Sequence, residues 1–168
     1  MKDFFFENPN ERLKAKKNNL ISLITKDILQ ESQYGFESYH LLYNNNGILN
    51  LSVKLQYYGS PWEDTKYLCF DTNADKEIGK ALFVNQSKLL QIINKKLRSE
   101  ESKSFIFKDL STYKINANNK GKITSISFVF FDLNDRMNSG YPQYLVSFDW
   151  DEIQKYISPK YKNILSNK

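Results

Sequence analysis

Ile48-Leu49-Asn50-Leu51-Ser52-Val53-Lys54-Leu55-Gln56-Tyr57-Tyr58, residues 48–58, carries the clearest periodicity in the chain. From Leu49 onward apolar and polar residues alternate: Leu49, Leu51, Val53, Leu55 and Tyr57 fall on one side, Asn50, Ser52, Lys54 and Gln56 on the other. Successive side chains of a strand point to opposite faces, so this pattern predicts a strand with one buried and one solvated face. Just before it, Asn44-Asn45-Asn46-Gly47 supplies residues that tolerate positive φ, the chemistry of a tight hairpin turn. Phe36–Tyr43 then reads as the partner strand. Just after it, Gly59-Ser60-Pro61-Trp62 breaks the run, and Thr65–Asp71 returns as a third strand ending in the turn Asp71–Lys76.

Toward the C-terminus, a helix starts near Asn85 or Ser87 and carries Leu89, Leu90, Ile92, Ile93 and Leu97. Ser104–Lys108, Thr112–Asn116, Lys122–Asp132 and Gln143–Phe148 read as further strands, with a turn at Asn116–Gly121 and a loop at Asn134–Pro142. Phe128-Val129-Phe130-Phe131 is apolar on both faces, which marks Lys122–Asp132 as a central strand. Asp149 caps a short helix, Trp150–Ile157; Pro159 interrupts it, and Tyr161–Leu165 adds a final turn or two. Toward the N-terminus, Asn8, Pro9 and Glu11 form a helix start, and Leu13, Leu20, Ile24 and Ile28 make one apolar stripe. The expected fold is α+β in a single domain over 1–168: an antiparallel β-sheet of about five to six strands, with an N-terminal helix (about 9–30), a central helix and a short C-terminal helix packed on it. Sheet and later helices occupy about 35–165.

A chain of 168 residues that is 15% aromatic, with Gly 6 and Pro 4, has the composition of a packed core and not of a disordered segment. Lys and Arg outnumber Asp and Glu by 24 to 19, an excess spread along the chain as a solvated surface, mildly favouring an acidic partner. The polar side of residues 48–58 offers no aromatic stacking platform, so nucleic acid is not an expected partner. No stretch approaches the roughly 18 apolar residues of a membrane span. The apolar patch Phe4-Phe5-Phe6 is too short for a secretory signal, so the expected compartment is cytoplasmic as given, or periplasmic or cell-surface if a leader is removed.

His40 is the single histidine and Cys69 the single cysteine, lying in the apolar run Tyr67-Leu68-Cys69-Phe70; neither a nucleophile–base pair nor a zinc site is expected. Asp71, Asn73 and Asp75 imitate the start of a calcium loop, but Lys76 stands where glycine is required and Leu82 where glutamate is, so turn chemistry accounts for them. No phosphate loop exists. Paired carboxylates remain: Glu63 with Asp64 in a loop, or Asp149, Asp151 and Glu152, which helix capping explains. No catalytic residue, cofactor or metal is expected.

Residues 43–58 with the Gly59 break, Tyr67-Leu68-Cys69-Phe70-Asp71, Ile78, Leu82-Phe83 and the Leu89–Leu97 helix form a recognisable order. With Asn119-Lys120-Gly121-Lys122, Val146-Ser147-Phe148 and Glu152-Ile153 it resembles, over about residues 35–160, the C-terminal domain of lysozyme-sensing anti-sigma factors and of some peptidoglycan deacetylases. Where that family carries a Gly-Gly-Ala-His-like loop, this chain has Gly59-Ser60-Pro61-Trp62. The resemblance implies a non-catalytic module that binds a protein or a cell-wall component.

The expected function is therefore protein binding, most concretely by a small immunity-type protein that binds and blocks a bacterial toxin or hydrolase. An extracytoplasmic module binding lysozyme or peptidoglycan is the first alternative, and a hydrolase using Glu63 or Asp64 the second. The expected contact residues are Tyr57, Tyr58, Trp62, Glu63 and Asp64 in one loop and Arg136, Met137 and Tyr141 in another. Aromatic, methionine and arginine side chains are enriched at interfaces.

Overall fold

The fold was read from a computed structural model, which describes residues 10–11, 13–15, 17–18, 36–56, 63–97, 105–132 and 143–166. Strands β1 (Phe36–Asn45), β2 (Ile48–Gln56), β3 (Glu63–Asp71) and β4 (Lys76–Glu77) form an antiparallel sheet in the order β1-β2-β3-β4. A 3-10 turn (Gly79–Leu82) leads to helix α1 (Gln86–Leu97), and a second 3-10 turn (Phe107–Ser111) leads into the next strands. There β5 (Tyr113–Ala117), β6 (Ile123–Phe131) and β7 (Gln143–Asp149) pair as β5-β6-β7. The chain closes with α2 (Trp150–Ile153), a 3-10 turn (Gln154–Tyr156) and α3 (Pro159–Leu165). The class is α+β with antiparallel pairing, as expected, but the strands divide into two sheets of four and three where one sheet of five to six was expected.

The opening hairpin is tighter than its sequence suggested. Asn44 and Asn45 continue β1, leaving a two-residue turn at Asn46-Gly47 with φ of 51° and 79°. Both turn positions need positive φ, which asparagine tolerates and glycine adopts freely. A side chain at Gly47 would also collide with the Asn73 amide of the neighbouring turn. One extra residue between Leu41 and Tyr43 bulges β1. The bulge turns Tyr43 away from the face shared by Tyr39 and Leu41 and into the core.

On one face of the first sheet Val53, Leu55, Leu68 and Phe70 make a small buried cluster, with Leu49 and Leu51 packed against it. The face expected to be solvated is so only toward Lys54. At the other end Ile48 and Asn50 are fully buried, because the second sheet packs there. Asn50 makes that junction: its Nδ2 donates to the carbonyls of Leu68 (3.0 Å) and Tyr113 (3.2 Å), and its Oδ1 accepts the Ile115 N–H (2.8 Å). Its amide thus satisfies two backbone groups of edge strand β5 as a neighbouring strand would.

β6 is the central strand of the second sheet, and Phe128 and Val129, which face opposite ways, are both buried. The main core gathers Phe128 and Phe148 with Leu89 and Ile93 of α1 and Tyr156 and Tyr161 of the C-terminal segment. Burying each such side chain contributes about 1.5–3 kcal/mol. The C-terminal segment is zipped onto residues 82–84 by Val84 N–H to Tyr156 O (2.7 Å) and Ser158 N–H to Leu82 O (2.8 Å).

Two further expectations are corrected. The strand expected over Ser104–Lys108 does not form in its described part, 105–108: Phe105 and Ile106 belong to no sheet and Phe107–Ser111 winds as a 3-10 turn, because the Asp109 carboxylate captures the Ile106 N–H (2.7 Å). Pro159 does not interrupt a helix but begins one, at the first position, where its missing N–H costs nothing. The Trp150 helix itself lasts a single turn before tightening into 3-10 geometry. Of the expected 9–30 helix, residues 10–11, 13–15 and 17–18 are helical and Leu13 is exposed; the remainder lies outside the described residues.

Candidate interaction surface

Residues 105–111 shape one partly apolar surface of the molecule. Phe105 is buried against Phe130, with ring centroids 5.3 Å apart. Asn94 of α1 fixes its backbone from both sides, Nδ2 donating to the Phe105 carbonyl (3.0 Å) and Oδ1 accepting its N–H (2.6 Å). Leu110 is buried at the other end of the turn and Asp109 caps its start. With both ends pinned, Ile106 and Phe107 turn outward: Ile106 is 51% and Phe107 47% exposed. Between Phe107 and α1 runs an open groove of about 540 Å³, lined by Ser87, Leu90, Gln91, Asn94, Lys95 and Phe107.

The expected contact residues fall partly outside this picture. Tyr57, Tyr58, Trp62, Arg136, Met137 and Tyr141 lie outside the described residues. Glu63 and Asp64 are the first residues of β3 and not loop residues. Being consecutive in a strand, they project to opposite faces. Glu63 pairs with Lys54 (3.1 Å) at the surface, an interaction worth about 0–1 kcal/mol, while Asp64 stands opposite Leu55. A two-carboxylate device needs both groups on one side, and this strand separates them.

What the structure brings together is the framework around the two stretches. Phe131 and Gln143, which flank residues 133–142, both meet Tyr67 of β3: the Tyr67 Oη donates to Gln143 Oε1 (2.9 Å) and its ring lies 6.2 Å from that of Phe131. Glu63, where the chain re-enters the sheet after residues 57–62, is four residues along the same strand, about 13 Å away. Phe130, next to Phe131, touches both Phe105 and Tyr144. The strand ends around 133–142 therefore adjoin the Phe105 anchor of the groove on one side and β3 on the other. Ile106 and Phe107 were missed in the sequence. Their signal was an aspartate three residues after Ile106, which competes for its backbone N–H exactly as helix-capping acids do.

The remaining reactive groups have structural explanations. Burial pushes the Cys69 thiol up to about 12, outweighing its hydrogen bond with Tyr113, so it stays protonated and unreactive near neutrality. Burial also pushes the Asp71 carboxyl up, but bonds from the Lys160 Nζ (2.9 Å) and the Ala74 and Asn73 N–H groups outweigh it and hold it below the ordinary 3.8. Asp71, Asn73 and Asp75 thus build a turn, as their spacing suggested. Glu152 accepts the Asp149 N–H (3.3 Å) in a capping box. His40 is exposed on β1, opposite Ser52. Among the described residues no helix is long and apolar enough to cross a membrane. Compared with known proteins, the chain matches no family model and no curated protein.

Proposed function

We propose that the chain is a non-catalytic protein-binding module, in its most concrete form an immunity-type protein that binds and blocks a bacterial toxin or hydrolase. The observation that carries this reading is the outward pair Ile106 and Phe107 on a turn fixed by Asn94, Phe105 and Asp109 beside the α1 groove. Apolar side chains held rigidly at the surface lose little entropy on binding, which is what an interface anchor requires.

The test is capture on the immobilised protein from lysate and culture medium of the source organism, read by mass spectrometry. A toxin or hydrolase retained in stoichiometric amount by the parent and lost with Phe107→Ser or Trp62→Ala supports the reading. Capture of a lysozyme or of cell-wall fragments instead would favour the extracytoplasmic module that the family resemblance implies. Retention of nothing overturns both.

A further inference from the structure

Among the described residues the lining of the α1 groove contains no acid, and its charged member is Lys95. Lys88 lies two turns before Lys95 on the same flank of the helix, and Lys108 directly follows Phe107 on the facing turn; all three lysines are exposed. Two described acids nearby are engaged: Asp109 holds the Ile106 N–H, and Glu152 approaches Lys96 (3.6 Å) on the other side of α1. Among the described residues, the apolar strip made by Leu90 and Phe107 thus has lysines on both of its walls. The polar ends of Ser87 and Gln91 line it as well, whereas the Asn94 amide is spent on Phe105.

We propose that this groove seats an acidic amphipathic helix of a protein partner, its apolar stripe on Leu90 and Phe107 and its carboxylates facing Lys88, Lys95 and Lys108. This rests on the protein-binding reading and names the chemistry of the partner's segment. α1, at 12 residues, offers a wall about 18 Å long, enough for three turns of an incoming helix. Helices that dock in such grooves do so through apolar residues at i, i+3, i+4 and i+7. Lysines at the rim select the charge of the incoming segment and speed its approach more than they tighten it, and salt weakens their pull.

The probe is a fluorescein-labelled synthetic helix of glutamate, alanine and leucine, with leucines at those four positions. Two control peptides replace every glutamate by lysine or every leucine by serine. Fluorescence anisotropy against the full-length protein should show saturable binding of the acidic peptide alone, weakened by added salt. Lys95→Glu should weaken it about tenfold and Phe107→Ser should abolish it. Lys120→Glu, on the turn between β5 and β6, should leave it unchanged, and circular dichroism should show all three variants folded. Equal binding of the lysine or serine peptide, or equal losses from Lys120→Glu and Lys95→Glu, would overturn the proposal, as would no binding at all. Capture of a toxin that survives both Phe107→Ser and Lys95→Glu would overturn it too, while leaving the protein-binding reading in place.

Discussion

Asn50 and Phe107 break the same rule in opposite directions. Asn50 is a polar side chain with 0% exposure inside the core; Phe107 is a large apolar one left 47% exposed on a rigid turn. The interior case is fully compensated, since three hydrogen bonds to backbone groups of β3 and β5 occupy the amide. The surface case has no compensation among the described residues. A buried amide that completes a sheet edge explains itself through stability. An apolar ring left about half in water adds less to folding than a buried one, and with Ile106 beside it makes an apolar patch suited to contact.

The sharpest way to break this comparison is at Asn50. Asn50→Leu would leave the Ile115 N–H and the Tyr113 carbonyl buried without a partner, a loss of about 2–4 kcal/mol in urea denaturation. A neutral result would mean that the two sheets do not depend on the amide.

Asp71 comes next, as a second buried polar group with its partners in place. Asp71→Asn should cost about 1–3 kcal/mol at neutral pH, because it removes the charge that Lys160 and the turn N–H groups hold. Its lowered carboxyl adds stability that is present above the ordinary 3.8 and is lost as pH falls through its native value. Acid titration of stability should therefore be steeper for the parent than for the variant below that point.

Tyr43 sharpens the contrast further, because its buried Oη makes no hydrogen bond among the described residues. Tyr43→Phe should be neutral or stabilise by up to about 1 kcal/mol in thermal melts. Phe107→Ser should change least, within about 0.5 kcal/mol, while removing partner capture. A large loss of stability there would move Phe107 from the surface account to the core account.

Much of the fold was legible because local rules and global packing agree. The Asn46-Gly47 turn, the alternation of β2, the doubly apolar β6 and the Asp149 cap each follow from spacing alone. What was not legible required knowing what packs on what. Asn50 occupies a solvent-side position in its strand's pattern, and only the second sheet arriving on that face buries it. The Phe105-Ile106-Phe107 run has strand composition, but Asp109 offers its backbone a nearer partner than any sheet edge. Of the expected contact surface, Glu63 and Asp64 are separated by the strand that carries them. The groove stayed hidden because it is made by Asn94 and Phe105, eleven residues apart.

The order of the strands has a consequence for how the chain reaches this state. Within each sheet every pairing joins strands consecutive in sequence. The described ladders therefore close between neighbours in sequence, over at most eleven connecting residues, at a low loop-closure cost. The bonds from Asn50 to Tyr113 and Ile115 span 63 and 65 residues and exist only once the two sheets have met. Asn50 is thus a late-forming contact: its loss should speed unfolding while leaving the refolding rate nearly untouched.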